Sequence, residues 1–231
     1  MRVEPHTVGS IVHVMKRGAR GMPITRDRVD QGRFLKLLYY LNDGAYRNES
    51  WERATDSLLP FEWPAHWSER EPLVNILAWT LMPNHFHIVL KALCEEGIPL
   101  FMKKLCVSMT GHFNAKYEEK GSIFQGAYRG RTAELHGDEY LRYLPVYVMV
   151  KNPFELYPGG FPSAVKNFDD AFAWAAASPL CSLGAYAGGT QSPILEKDIF
   201  GELFETPAEF KTFARDCMES RLELLSDANF D

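Results

Sequence analysis

The apolar positions of the chain predict four strands. Two dense apolar runs, 72–82 and 85–92, are separated only by a short MPN link, which is typical of an antiparallel hairpin. An imperfect alternation over 8–16 predicts an earlier strand, and an extended basic segment over 122–134 predicts a later one. The hairpin therefore lies between two more weakly marked strands.

Helical spacing fills the intervals between these strands. Segment 27–42 repeats apolar residues every three or four positions, and so does the longer segment 97–119, which should end near Gly121. A further helix begins at about 138 in DEYLRYLPVYVMVKN, and we expect Pro153 to stop it. The pattern thus predicts a helix after the first strand, one after the hairpin and one after the last strand.

The C-terminal third has a less regular pattern. YPGGFPS at 157–163 predicts a loop, and 164–231 predicts irregular structure with short helices, of which TPAEFKTFARDCMESRLELL is the clearest. Thr206 is a suitable N-cap for that helix, with Pro207 at its first position and Glu209 three residues after the cap.

The order of elements indicates an α+β fold. Strand–helix–strand occurs twice, which suggests a split βαβ sheet with helices on one face. We assign residues 1–160 to this domain, with an irregular insertion over 43–71. Residues 161–231 form an acidic, partly helical C-terminal extension.

Composition narrows the class of protein. At 231 residues, 46% apolar and 13% aromatic, the chain is long and apolar enough for a globular core. No apolar run reaches the roughly 18 residues of a membrane span, and the N-terminal MRVEPHTVGS lacks the apolar stretch of a signal peptide. The four cysteines are far apart, which argues against a zinc ribbon or a disulfide framework. We expect a soluble cytoplasmic protein.

Charge is segregated along the chain. The formal net charge is −5, but residues 196–231 alone carry 4 Lys and Arg against 10 Asp and Glu. Residues 1–43 hold 8 basic against 4 acidic residues, and 101–133 hold 6 against 2. Since local basic surfaces rather than net charge attract phosphates, nucleic acid remains a possible partner.

The stretch LMPNHFHIVL at 81–90 contains the most informative polar residues. In a strand, His85 and His87 share one face and Phe86 takes the other. Two adjacent imidazoles are costly to bury without partners and suit a pair of metal ligands. The alternative is that one closes a loop and the other is a hydrogen-bonded core histidine. The spacing alone leaves both interpretations open.

Four blocks of the sequence together resemble one family. They are HVMKRG at 13–18, MPNHFHIVL at 82–90, GHFNAKYEEKGSIFQGAYRG at 111–130 and NP at 152–153. In this order they resemble the REP-associated tyrosine transposases of the HUH endonuclease superfamily. The similarity runs over residues 8–155 and, more loosely, through TPAEFKTF. HFH alone is a weak signal; the four blocks in order are a specific one.

The resemblance implies a fold and an activity. The fold is a ferredoxin-like, RRM-like antiparallel sheet with helices on one face, which agrees with the order of elements. The implied activity is cleavage and rejoining of single-stranded DNA, in which His85 and His87 hold Mg²⁺ or Mn²⁺ and a tyrosine hydroxyl forms a 5′-phosphotyrosine. The implied partners are single-stranded hairpins such as repetitive extragenic palindromes. We expect a monomer that associates with the nucleoid and not with a membrane.

The resemblance also implies the nucleophile. The family's tyrosine lies four residues before the Asn of NP, whereas Tyr147 lies five before Asn152 and Pro145 stands within the same helix. A bulge or kink can absorb the extra residue. Tyr147 is therefore the expected nucleophile, with Tyr143 in reserve. Asn152 matches a third metal ligand that the superfamily often takes from this helix.

Basic and aromatic residues near these motifs are candidates for DNA contact. Lys and Arg side chains bind phosphates, and aromatic rings stack on unpaired bases. The candidate rings are Phe124 and Tyr128. The candidate phosphate contacts are Arg17, Lys103, Lys104, Lys116, Arg129 and Arg131. Each of these residues is also compatible with an ordinary surface charge or a core ring.

Two other functions remain open at this stage. The extra residue and Pro145 are compatible with a nucleic-acid-binding protein that has kept the fold and lost catalysis. His85 and His87 are also compatible with a hydrolytic metalloenzyme whose nucleophile is water. A covalent DNA adduct separates the first function from both alternatives.

Overall fold

A computed structural model describes residues 3–189 and 191–227, with side chains described as far as Arg221. Four strands form one sheet in the order β2-β3-β1-β4. Their bounds are Ile11–Arg17 for β1, Val74–Met82 for β2, His85–Ala92 for β3 and Arg129–Thr132 for β4. The connection from β1 to β2 passes over β3, and the connection from β3 to β4 passes over β1. This is the strand order of a split βαβ fold. The predicted α+β fold with an antiparallel sheet is confirmed.

Ten α-helices are present in the part of the chain that the structure describes. They are α1 (Arg28–Tyr40), α2 (Trp51–Ala54), α3 (Gly97–Tyr117), α4 (Asp138–Val146), α5 (Asn152–Phe154), α6 (Gly160–Lys166), α7 (Phe168–Ala176), α8 (Leu183–Tyr186), α9 (Asp198–Leu203) and α10 (Pro207–Asp227). A π-helix at Tyr147–Lys151 joins α4 to α5. Across the described ranges, no helix is long and apolar enough to span a bilayer.

Contacts divide the chain into two compact units. The first comprises the residues up to Asn75 together with Pro83–His85 and Leu90–Arg131. The second comprises Ile76–Met82, Phe86–Val89 and the residues from Thr132 onward. Strands β2 and β3 thus contribute to both units. The boundary expected near residue 160 from the sequence stays a prediction.

Helices α1 and α3 pack together in the first unit. Asp27 caps α1, because its Oδ1 accepts the backbone N–H groups of Val29 at 2.9 Å and Asp30 at 3.0 Å. Helix α3 ends at Tyr117, a few residues before the expected Gly121, because Glu118 already adopts a left-handed conformation with φ of 55°. Both helices were predicted from their spacing.

Strands β1 and β3 have a defined register in the first unit. The Ala92 N–H donates to the Ser10 carbonyl at 3.0 Å, and the Gly18 N–H donates to the Asn84 carbonyl at 2.8 Å. The residue numbers of both pairs add to the same value, so the two strands run antiparallel in one register. That register sets Arg17 directly opposite His85.

The second unit packs helices against parts of two strands. The Thr80 hydroxyl of β2 donates to the Val148 carbonyl of the π-helix, and the Tyr186 hydroxyl donates to the Leu77 carbonyl at 2.7 Å. The Glu209 N–H donates to Thr206 Oγ1 at 3.1 Å, which confirms Thr206 as the cap of α10.

Two predictions for this unit were wrong. Pro153 does not stop the helix, which continues from the π-helix through α5 and ends one residue later, at Phe154. The loop expected over 157–163 becomes helical from Gly160 onward. Gly159 and Gly160 have φ values of 84° and 72°, which lets the chain turn sharply into α6.

Candidate active site

Strand β3 presents its two histidines on one face. Phe86 is completely buried and His87 is 5% exposed, whereas His85, at the start of the strand, is half-buried. The pleat directs the side chains of residues 85 and 87 to the same side of the strand. The arrangement predicted from the HFH spacing is therefore present.

The turn before β3 holds the first of these histidines. His85 Nδ1 lies 2.7 Å from Asn84 Oδ1. The Asn84 amide nitrogen in turn donates to the Gly21 carbonyl at 3.1 Å. The MPN link that joins the hairpin strands thus also supports His85, a role that the sequence pattern did not indicate.

Within the first unit, basic side chains lie on the sheet face that carries His85. A Cβ built on Gly130 would meet the side chain of Val12 at 3.3 Å, so Gly130 faces the same side as Val12. By alternation, Arg129 and Arg131 take the opposite side, as do His13 and Arg17. Arg17, Arg129 and Arg131 are exposed.

The pKa of His13 is sensitive to the positive charge on that face. Burial, and then the nearby positive charge of Arg131, lower its pKa to about 4. His13 is therefore neutral at physiological pH, and the positive charge of this face comes from the arginines. Three of the six predicted phosphate contacts share this face, one of them opposite His85.

Tyr147 contacts the second histidine in the other unit. The ring centroids of Tyr147 and His87 are 5.4 Å apart, with an edge-to-face angle of 87°. The Lys151 ammonium lies 5.2 Å from the centroid of the Tyr147 ring and pairs with the Glu155 carboxylate. Tyr147 thus contacts both an imidazole and a cation.

The π-helix accounts for the extra residue between Tyr147 and Asn152. The Asn152 N–H donates to the Tyr147 carbonyl, five residues earlier. Because a π-turn contains one residue more than an α-turn, residues five apart share a face as residues four apart do in an α-helix. The bulge expected from the sequence is present, and it keeps Asn152 on the Tyr147 face.

Asn152 is almost completely buried. Its side chain is 1% exposed, and its Nδ2 has no hydrogen-bond partner among the described residues. A buried polar atom without a partner costs free energy unless a ligand or water satisfies it. Rotation of the amide by 180° would exchange this nitrogen for an oxygen, the atom type that Mg²⁺ and Mn²⁺ bind.

Tyr143 occupies a different environment from Tyr147. The two ring centroids are 6.2 Å apart. Burial raises the pKa of Tyr143, and the guanidinium of Arg221, 3.5 Å from its hydroxyl, partly offsets this. A phenol with a raised pKa is harder to deprotonate, which counts against Tyr143 as a nucleophile.

The other predicted DNA contacts have different surroundings. Lys103 is exposed on α3, but Lys104 donates to the Asp43 carbonyl, and burial lowers its pKa. The Lys116 ammonium lies 2.6 Å from an Asp27 oxygen and 2.8 Å from an Asp30 oxygen. Lys104 and Lys116 are thus engaged within the protein.

The predicted stacking rings are also partly enclosed. Phe124 is 4% exposed, with the Lys16 ammonium 5.5 Å from its ring centroid. Burial raises the pKa of Tyr128, whose side chain is half-buried. Both rings therefore belong at least in part to the packing of the first unit.

Strand β3 carries two imidazoles as candidate metal donors. Two imidazoles on one strand face suit Mn²⁺, and Mg²⁺ would require oxygen ligands from a carboxamide, water or phosphate. Within the described residues, no group of three or more His, Cys, Asp and Glu side chains is arranged to hold a metal. The assignment of His85, His87 and Asn152 as metal ligands therefore stays a prediction.

Comparisons with known proteins give one distant similarity. No family model matches the chain, and no curated protein matches it. A solved structure described as a REP-associated tyrosine transposase bound to a REP hairpin aligns with 86% of this chain and 92% of its own. The alignment has a TM-score of 0.41 and 12% sequence identity.

Proposed function

We propose that the protein is a metal-dependent tyrosine endonuclease and strand transferase that cleaves and rejoins single-stranded DNA at repeat hairpins. The observation that carries this proposal is the contact between Tyr147 and His87. A phenol that packs against one of two paired imidazoles has the chemistry of a nucleophile beside a metal-ligand pair. The resemblance of the sequence blocks to tyrosine transposases agrees with this pairing.

The proposed reaction is a transesterification. The Tyr147 hydroxyl attacks phosphorus, a new P–O bond to tyrosine forms, and the bond from phosphorus to the 3′-oxygen breaks. The phenol proton passes to solvent, and the 3′-oxygen leaves as a hydroxyl after it takes up a proton. Since the 5′-phosphotyrosine is itself a diester, attack by a 3′-hydroxyl reverses the reaction and rejoins a strand.

His85 and His87 are the proposed metal ligands, with Asn152 as the candidate third. A bound Mg²⁺ or Mn²⁺ supplies charge neutralisation at the scissile phosphate and the leaving oxygen. The strand fixes the spacing of the imidazoles, and the π-helix keeps Asn152 on the Tyr147 face. Lys151 adds a positive charge beside the Tyr147 ring, where developing phenolate charge would be stabilised.

The basic sheet face supports DNA as the substrate. Arg17, Arg129 and Arg131 are exposed there, and Arg17 lies opposite His85 by register. Phosphate groups that bind such a row of guanidiniums gain charge-assisted hydrogen bonds. We propose these three arginines and Lys103 as the backbone contacts, and a monomer as the active form.

A covalent-adduct assay tests this function. The protein is incubated with labelled single-stranded hairpin DNA and Mn²⁺ or Mg²⁺, denatured, and examined for a shifted band. We expect a metal-dependent band that disappears in Tyr147→Phe and His87→Ala but persists in Tyr143→Phe. A band that persists in Tyr147→Phe would reject Tyr147 as the nucleophile.

A nucleic-acid-binding protein without catalysis is the second candidate. It is favoured by the burial of His87, because a 5% exposed imidazole against a tyrosine ring is also an ordinary packing contact. This function predicts hairpin binding without a covalent adduct. A hydrolytic enzyme with a water nucleophile predicts cleavage that survives Tyr147→Phe, also without an adduct.

A further inference from the structure

Asn84 joins two parts of the first unit through its side chain. Its amide nitrogen donates to the Gly21 carbonyl at 3.1 Å, and its Oδ1 lies 2.7 Å from His85 Nδ1. Asn84 is the second residue of the two-residue turn between β2 and β3. It thus stands between the loop after β1 and the first residue of β3.

The orientation of the Asn84 amide follows from its partners. A backbone carbonyl can only accept a hydrogen bond, so the amide atom that faces Gly21 must be the nitrogen. The other amide atom, which faces His85, is therefore the oxygen. A 180° flip would set two oxygens against each other at Gly21 and lose the donor.

This orientation fixes the proton on His85. The Asn84 amide oxygen has no hydrogen to donate, so the 2.7 Å contact requires His85 Nδ1 to carry the proton. In the neutral ring, Nε2 then holds the lone pair. Metal-binding histidines in proteins are commonly oriented in this way by a hydrogen bond from the second ring nitrogen.

The loop that supplies the Gly21 carbonyl is itself held in position. The Ile24 N–H donates to the Pro83 carbonyl at 2.9 Å, and the Gly18 N–H donates to the Asn84 carbonyl at 2.8 Å. A Cβ on Gly18 would lie 2.1 Å from the Met22 carbonyl oxygen, so only glycine fits there. The acceptor for Asn84 is therefore fixed by backbone contacts on both sides.

We infer that Asn84 is a positioning residue that selects the Nδ1–H tautomer of His85 and presents Nε2 to a divalent cation. The inference rests on the proposed function for the role of the cation, but the tautomer itself does not depend on it. Substitution of such outer partners typically weakens metal affinity about 10- to 100-fold.

Three proteins test this inference. Asn84→Ala removes the acceptor for Nδ1, whereas Asn84→Asp keeps an acceptor oxygen for Nδ1 but replaces the donor to Gly21 with a second oxygen. Neither change touches the backbone bonds of Gly18 and Ile24. Thermal midpoints of wild type and both variants confirm that the comparison is between folded proteins.

The first readout is the tautomer in the absence of metal. A proton–nitrogen correlation spectrum of the imidazole rings, at a pH of about 8, where histidines are mostly neutral, shows which nitrogen carries the proton. Signals of His85 among the seven histidines are assigned with His85→Gln. We expect Nδ1–H in wild type and Asn84→Asp, and Nε2–H or a mixture in Asn84→Ala.

The second readout is Mn²⁺ affinity by calorimetry. We expect Asn84→Ala to weaken binding at least about tenfold and Asn84→Asp to stay close to wild type. An Nε2–H tautomer in wild type, or an unchanged tautomer in Asn84→Ala, would overturn the inference. If wild type binds no Mn²⁺ but shows the expected tautomers, the proposed metal chemistry fails and the orienting role of Asn84 stands.

Discussion

The backbone N–H of Asn152 donates to the carbonyl of Tyr147, five residues earlier, and this bond belongs to a π-helix. It explains how a chain with one residue more than expected still keeps these two side chains on one helix face. Deletion of Lys151 should convert the π-turn into an α-turn. We expect the deletion variant to fold, to keep a thermal midpoint at or above that of wild type, and to form the adduct at the same reduced rate as Lys151→Ala, since both variants lose the cation beside Tyr147.

The matched control for this deletion is Lys151→Ala, which removes the same side chain without a change of chain length. Circular dichroism and the adduct assay compare the two variants. If the deletion abolishes the adduct while Lys151→Ala keeps it, the five-residue spacing itself is required, and the equivalence of the two turns is wrong.

A buried carboxylate stabilises the first unit. Asp30 is completely buried and accepts hydrogen bonds from the Arg26 N–H at 2.8 Å, Lys116 at 2.8 Å, the Tyr117 hydroxyl at 2.8 Å and His112 at 3.0 Å. Asp30→Asn leaves several of these donors without an acceptor, so we expect a loss of about 3 kcal/mol in the free energy of unfolding. Urea denaturation measures it.

Asp27→Asn is the control for that variant. Asp27 also contacts Lys116 but is exposed, and asparagine caps a helix as well as aspartate does. We expect a much smaller loss than in Asp30→Asn, because solvent screens the exposed carboxylate. Equal losses in Asp27→Asn and Asp30→Asn would contradict the central role of the buried group.

The Asp30 carboxylate should make the free energy of unfolding fall at acid pH. Burial alone would raise the pKa of Asp30, but hydrogen bonds from Lys116, Arg26, Tyr117 and His112 outweigh it and leave the pKa below its usual value. The stabilisation is complete above the unfolded pKa of about 3.9 and is lost as the pH falls toward the folded value. Unfolding free energies between pH 6 and 3 should fall more steeply in wild type than in Asp30→Asn.

His13 should also make stability depend on pH, but over a higher pH range than Asp30. Burial and Arg131 lower its folded pKa to about 4, so the unfolded chain binds a proton near pH 6.5 while the folded chain does not. The His13 contribution to stability is therefore lost as the pH falls from about 6.5 to 4. An NMR titration should give the low pKa directly, and Arg131→Gln should raise it only partly, because burial is the larger cause. A normal pKa in wild type would show that the surroundings of His13 do not disfavour its protonated form.

Arg17 should contribute to DNA affinity through phosphate. It lies opposite His85 by strand register and is exposed. Arg17→Gln should weaken hairpin binding and reduce the slope of log Kd against log salt by about 1. Arg28→Gln, an exposed change on α1, is the control and should leave the slope unchanged. Equal slopes in wild type and Arg17→Gln would remove Arg17 from the interface.

The sequence predicted the elements that depend on short-range patterns. The bounds of β3, the N-cap of α10 and the shared face of His85 and His87 all follow from alternation, capping chemistry and turn spacing. The Asp30 cluster could not be predicted, because three of its four donors come from residues more than 80 positions away along the chain. Helix α6 was missed because the Gly159–Gly160 pair suggested a loop, although it is the turn into a helix.

Two contacts of the candidate site could not be predicted from the sequence either. The pairing of Tyr147 with His87 depends on how the π-helix packs, which no local pattern encodes. The bond from Asn84 to Gly21 depends on a loop 63 residues earlier. The spacing of Lys151 from Tyr147 was a usable signal, because residues four apart on a helix are neighbours.

The most direct test of the central claim is to locate the DNA on the protein. Wild type is allowed to react with hairpin DNA and Mn²⁺, the DNA is trimmed with nuclease, and tryptic peptides are sequenced by mass spectrometry. Tyr143 and Tyr147 fall on one tryptic peptide, 143–151, so fragmentation within that peptide must separate them. The account predicts a nucleotide attached through phosphate to Tyr147. Attachment to Tyr143, or an unmodified peptide from protein that binds the hairpin, would contradict it.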